Sequence, residues 1–172
     1  IAEQKRSLTS GELDEIYFYS TSNTDHLIAE FSGMSEIKGL GFELTDLSNE
    51  GLRHIAVLPE LQELMIYGYR DANGSWLELL RGDPTLRVLE LVNTDVSDSD
   101  LDILTTLPKL VELELFYEAH RAAKLTDSAL EHLRRLDHLE TLIISGGWMS
   151  EEALLELRDA MPGCKIETNT RH

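Results

Sequence analysis

The chain has 172 residues, 42% hydrophobic and 27% charged, with a formal net charge of −17 at pH 7. That is one domain's length with enough apolar content to build a core, which excludes a disordered chain, and the charge argues strongly against nucleic acid or an anionic membrane as partner. A single cysteine, Cys164, excludes an internal disulfide framework or a multi-cysteine zinc site, and no apolar run is long enough to span a membrane.

In chain order, residues 1–12 (IAEQKRSLTSGE) are polar and patternless, and are expected to form an N-terminal cap or linker. A strand follows, with Leu13, Ile16 and Phe18 pointing inward, and then Asn23 opens a helix through Leu27, Ile28 and Phe31. Tyr17 and Tyr19 add apolar surface beside this strand, which forms a sheet edge. Edges of that kind are normally covered, so sequence upstream of Ile1 is expected to cover it. Two near-regular units come next, with strands at Ile37, Leu40, Phe42 and at Leu61, Leu64, Ile66. The second of them turns through Tyr69, Asp71, Asn73 and Gly74.

The stretch Leu86 to Leu110, LRVLELVNTDVSDSDLDILTTLPKL, is the clearest unit. Leu86, Leu89 and Leu91 send apolar side chains to one face of a short strand. Ser97 reads as a helix N-cap, with Asp98 and Asp100 at the positive end of the helix. Leu101, Leu104 and Leu107 continue at helical spacing until Pro108 stops the run. Unit five (Leu110, Leu113, Leu115) carries an insertion at residues 116–124, FYEAHRAAK. Unit six (Leu139, Leu142, Ile144) turns through Gly146, Gly147 and Trp148. Cys164 and Ile166 form the stub of a last strand, with the thiol expected to be buried, and residues 167–172 are expected to be a frayed tail.

Three registers coincide. The first strand positions, Leu13, Ile37, Leu61, Leu86, Leu110 and Leu139, recur at intervals of 24, 24, 25, 24 and 29 residues. A cap-type residue stands four before a leucine at Asn23/Leu27, Ser48/Leu52, Asn73/Leu77, Ser97/Leu101, Thr126/Leu130 and Ser150/Leu154. All four prolines (Pro59, Pro84, Pro108, Pro162) fall where a helix should stop. One strand and one helix in about 24 residues cannot bury both apolar faces, so such units must stack on one another.

The repeated L-x-x-L-x-L pattern and the turn Thr94-Asp95-Val96-Ser97-Asp98, echoed at Thr45-Asp46-Leu47-Ser48-Asn49, resemble leucine-rich repeat proteins of a short-repeat bacterial subtype with threonine at the turn. The ending Leu157 to Ile166 is similar to the close of such proteins. The resemblance implies an α/β solenoid of six repeats over residues 13–166, with a parallel sheet on the concave side and short helices on the convex side. The usual turn Asn or Cys is replaced by Thr21, Thr45, Tyr69, Thr94, Glu118 and Gly147. An asparagine ladder is therefore not available, and threonine hydroxyls can serve three of the turns.

Alternation along each strand places three outward ladders on the sheet. They are Glu15-Gly39-Glu63-Val88-Glu112-Thr141, Tyr17-Gly41-Met65-Glu90-Glu114-Ile143 and Tyr19-Glu43-Tyr67-Val92-Phe116-Ser145. Carboxylates alone would be a solvated face. Tyr17, Tyr19, Met65, Tyr67 and Phe116 beside Glu43, Glu63, Glu90, Glu112 and Glu114 are instead the residue types of an interface. The expected function is a non-catalytic protein-protein interaction module whose partner carries basic and apolar groups. Cross-strand stacking that merely stabilises the sheet is the plainer explanation of the aromatics, as solubility is of the charge. The insertion, with His120, Arg121 and Lys124, is a secondary candidate site. An alternative is a structural or regulatory arm of a larger bacterial protein, packed on its own chain.

Catalytic chemistry finds no footing. There is no H-E-x-x-H, G-x-S-x-G, Walker loop or dinucleotide fingerprint, and His132 and His138 are not spaced to converge on a metal. The run Asp95, Asp98, Asp100, Asp102 lacks the glycine and terminal Glu of a calcium loop, and the stretch from Asp71 to Ser75 fails likewise. No enzyme activity, cofactor or metal is expected. With no leader visible the cytoplasm is slightly favoured, while a chain that starts at Ile1 leaves secretion open.

Overall fold

The computed structural model describes residues 14–68, 75–117 and 124–169. Seven strands of five residues recur along it: β1 (Glu15–Tyr19), β2 (Gly39–Glu43), β3 (Glu63–Tyr67), β4 (Val88–Val92), β5 (Glu112–Phe116), β6 (Thr141–Ser145) and β7 (Lys165–Asn169). They form one open parallel sheet in sequence order. Parallel neighbours require a crossover. Short helices supply it: α1 (Thr24–Ala29), α2 (Asn49–Ile55), α3 (Leu130–Leu133) and α4 (Glu151–Ala160), with 3-10 segments at Ser75–Leu80, Asp98–Thr106 and Asp127–Ala129. The arrangement is a repeat-like α/β fold.

Register follows the leucine spacing without a slip. Ile16, Leu40, Leu64, Leu89, Leu113 and Leu142 are consecutive partners, and none is more than 2% exposed. Beside them runs a second buried row, Phe18, Phe42, Ile66, Leu91, Leu115 and Ile144. In it the Phe18 and Phe42 rings stack with centroids 5.2 Å apart. Ile37, Leu61, Leu86, Leu110 and Leu139 are buried in front of the strands, and Leu52, Leu77, Leu101 and Leu130 close the core from the helices. Leu13 and residues 1–12 lie outside the described residues.

Several expectations need correction. The helix expected through Leu101 and Leu104 is present as a 3-10 segment, Asp98–Thr106. The last strand runs to Asn169, well into the stretch expected to be a tail from residue 167. Cys164 is half-buried, not buried, and desolvation raises its thiol pKa.

The strands end in a recurrent left-handed turn. Ser20, Leu44, Gly68, Asn93 and Gly146, each directly after a strand, all have positive φ. The amides of Ser20, Gly68 and Asn93 donate to Glu43, Val92 and Phe116, the last residues of the next strands, at 2.9, 2.7 and 2.8 Å. Each turn is thereby tied to its neighbour.

The helix starts are joined by carboxylates instead of an asparagine ladder. Ser48, Thr126 and Ser150 cap their own helices, and Ser97 forms a capping box with Asp100. Asn23 sits at the cap position without a side-chain cap bond. A carboxylate from the preceding segment then accepts the N–H of the next cap: Asp25 from Ser48, Asp98 from Thr126 and Asp127 from Ser150, each at 2.8 Å. Asp46 reaches the other way, to the Asn23 and Thr24 amides, also at 2.8 Å. Threonine plays the smaller part: Thr21 Oγ1 donates to Tyr19 O at 3.0 Å, and Thr94 Oγ1 meets the Tyr117 hydroxyl at 3.2 Å.

These bonds give the fold an acid limb. Ser150, first through its backbone N–H, holds the Asp127 carboxyl below its usual range, and the Thr24 backbone N–H does the same for Asp46. Folding lowers both pKa values, so the ionised forms favour the fold. That contribution is complete above the unfolded value of about 4 and is lost as pH falls through the lower folded value. Asp127→Asn keeps an acceptor oxygen but cannot titrate. In urea titrations its midpoint should fall less than wild type's below about pH 4; identical acid limbs would remove Asp127 from this account.

Candidate functional site

The three outward ladders occupy the register the alternation requires, with Lys165, Glu167 and Asn169 of β7 as a further rung. None of these outward positions in β1–β6 holds lysine or arginine, while six hold glutamate: Glu15, Glu43, Glu63, Glu90, Glu112 and Glu114. Glu15, Tyr17, Tyr19 and Glu43 are exposed, whereas Glu63, Met65, Tyr67, Glu90, Glu112, Glu114 and Phe116 are half-buried. The face is not uniformly open, because Val92 and Ser145, outward by register, are buried.

Two glycines shape the β1 end. A Cβ on Gly41 would stand 2.3 Å from Tyr17 Cδ1, and one on Gly39 would stand 2.7 Å from Glu15 Cγ. The Tyr17 ring edge and the Glu15 stem therefore reach from β1 into space that side chains on β2 would otherwise fill. The Tyr17 hydroxyl donates to Glu15 Oε2 at 3.0 Å. On the other side of β2, the Tyr67 hydroxyl donates to Glu90 Oε2 at 2.6 Å. Between them a depression of about 190 Å³ is lined by Tyr17, Tyr19, Gly41, Glu43, Met65 and Tyr67.

The electrostatics are one-sided. Glu63 has its pKa raised, first by desolvation and then by the charges of Glu15, Glu90 and Glu112. Tyr67 is raised by desolvation and by its bond to Glu90, and Tyr17 by desolvation and by Glu15. Like charges at neighbouring sheet positions repel. The fold holds them together nonetheless.

Of the secondary loop site, His120 and Arg121 lie outside the described residues, as do Tyr69, Glu118 and the turn through Asp71, Asn73 and Gly74. Lys124 Nζ is 3.4 Å from Asp95 Oδ2, so an acidic neighbour already engages this cation. The aspartate run is used residue by residue. Asp98 and Asp100 bond to Thr126 and Ser97, and Asp102 accepts from His132 at 2.7 Å and Arg135 at 2.6 Å. His138 Nε2 instead lies 2.8 Å from Leu107 O, so the two histidines serve separate contacts.

Sequence reasoning placed the ladders but assigned no role to Gly39 and Gly41. The available signal was two glycines at successive outward positions of one strand, a mark of close approach by another group.

No protein-family model matches this chain, and no curated protein matches it. Among solved structures it is similar to a Bacteroides fragilis protein from a structural genomics consortium, with 16% sequence identity and a TM-score of 0.46. The likeness covers 94% of this chain and 66% of that one, so the chain spans just under two thirds of its length. The seven-stranded parallel sheet and its short helices define the class as a parallel, repeat-like α/β protein.

Proposed function

We propose that the chain is a leucine-rich repeat solenoid of six repeats whose concave sheet is a protein-binding surface. It acts without chemistry, by shape and charge complementarity, on a partner with basic residues around an apolar anchor. The observation that carries this reading is the composition of the outward ladders: six glutamates, three tyrosines, Met65 and Phe116, with no cation in β1–β6. Desolvation first, and then the charges of Glu15, Glu90 and Glu112, raise the Glu63 pKa, and a cationic partner would relieve the repulsive part. The 24-residue spacing and the cross-linked helix caps support the solenoid.

The test is a capture experiment with the isolated chain from lysate of its source organism, at low and at raised salt. The double variant Glu90→Lys/Glu114→Lys should lose capture by at least about 100-fold in affinity, since it replaces attraction by repulsion at the centre of the face. Wild-type capture should weaken as salt rises. Undiminished capture by the double variant would reject the face.

One observation favours a second reading, an arm that packs on its own larger polypeptide. Tyr17 and Tyr19, on the edge strand β1, are 53% and 65% exposed. A longer native chain in which both tyrosines become protected from solvent would select this reading.

A further inference from the structure

The depression beside Gly41 has features that select among cations. Its volume of about 190 Å³ lies below the usual range for drug-sized ligands, roughly 300–1,000 Å³, and suits one side chain. Its lining is aromatic and thioether on several sides, from Tyr17, Tyr19, Tyr67 and Met65, with the Glu43 carboxylate at the margin. The Tyr17 ring brings its edge against Gly41, where a Cβ would stand 2.3 Å from Cδ1 and 2.8 Å from Cε1. The hydroxyls of Tyr17 and Tyr67 are turned to Glu15 and Glu90, so these carboxylates stand beside the rings. An aromatic surface within a negative field attracts a cation to the ring face.

We propose that this depression is a receptor for a single arginine side chain of the partner, its guanidinium stacked on Tyr17 and hydrogen-bonded to Glu43. Arginine fits better than lysine on two counts. Its planar head is weakly hydrated and stacks on aromatic rings, and its paired N–H groups match a carboxylate fork. Gly41 is then the residue that makes the site. It leaves room for the edge of the Tyr17 ring to close against the strand, where any side chain would displace the ring. The inference rests on the binding-face reading and narrows it to one anchor.

The probe is the capped peptide Ac-Gly-Arg-Gly-NH2, titrated into isotope-labelled chain and followed by NMR, with the lysine and citrulline peptides in parallel. Shifts should centre on Gly41, Met65 and the Tyr17 and Tyr67 rings, with lysine binding several-fold weaker and uncharged citrulline weaker by about tenfold or more. Tyr17→Ala, at an exposed position, and Gly41→Val, which favours a strand, should each weaken the arginine peptide about tenfold, while Tyr17→Phe, which keeps the ring, should not. Citrulline binding as well as arginine, shifts centred on Glu112 and Glu114 that survive Tyr17→Ala, or no shifts at high peptide concentration would each overturn the arginine site. None of these outcomes depends on the natural partner, so capture lost in Glu90→Lys/Glu114→Lys would still stand for the face as a whole.

Discussion

Gly146→Ala should be among the most damaging single-methyl additions in this protein, costing about 4 kcal/mol or unfolding the C-terminal strands. Two effects coincide there. Gly146 has φ +97°, which L-residues rarely adopt. Its Cβ would also stand 1.5 Å from the Tyr117 carbonyl oxygen and 2.6 Å from the carbonyl carbon. Backbone atoms cannot swing aside as a side-chain tip does, so β5 and β6 must part where the Tyr117 N–H donates to Ser145 O at 3.2 Å. Moving Tyr117 disturbs more than one bond: its ring is buried, packs edge-on against Trp148 at 6.3 Å, and places its hydroxyl against Thr94. Burial pushes that phenol up to about 12, so it stays protonated at neutral pH. The adjacent Gly147 is the internal control. It has φ +69° but nothing within 4 Å of where a methyl would stand, so Gly147→Ala should cost only the conformational strain, roughly 1–2 kcal/mol. Urea denaturation of the pair separates steric from torsional cost, and equal losses would refute the contact argument.

The same turn shows what a sequence reveals and what it withholds. Leucines at a regular interval set the strand registers, because pairing one strand with the next at equivalent positions is the arrangement that keeps every leucine inside. The outward ladders follow from that register by alternation, so Tyr17, Met65, Glu90 and Glu114 fall into one row on spacing alone. The caps were legible too, since Ser48, Ser97, Thr126 and Ser150 each precede an apolar periodicity. Helix type was not: leucines at i and i+3 suit both α and 3-10 geometry. Nor were the carboxylate bridges. Asp98 near a helix start reads as satisfying its own helix, and only when Thr126 lies beside it does the bond to the neighbouring segment become visible. Burial of Val92 and Ser145 and the approach of Tyr17 to Gly41 likewise depend on neighbours in space. The depression at the candidate site belongs to that second class: Tyr17, Tyr19, Glu43, Met65 and Tyr67 line it, but its shape comes from a side chain that β2 does not carry.

Leu89→Ala should lower stability by about 3–4 kcal/mol, within the range for a leucine removed from a core that relaxes only partly. Leu89 is fully buried and stands in register between Leu64 on β3 and Leu113 on β5. A cavity here cannot be filled along the row, because each of those side chains is held by its own strand. The site is also central in a sheet where each strand pairs only with its sequence neighbours. Within the sheet β4 alone joins β3 to β5, so weakening it weakens the coupling of β1–β3 to β5–β7. Besides the lower midpoint, the urea transition of Leu89→Ala should therefore broaden, as the two sides begin to unfold separately. Leu155→Ala removes the same atoms from a residue 61% exposed on α4, and should change stability by no more than about 0.5 kcal/mol. If the two substitutions cost the same, the row of strand leucines is not the shared interior on which the sheet and its outward ladders depend.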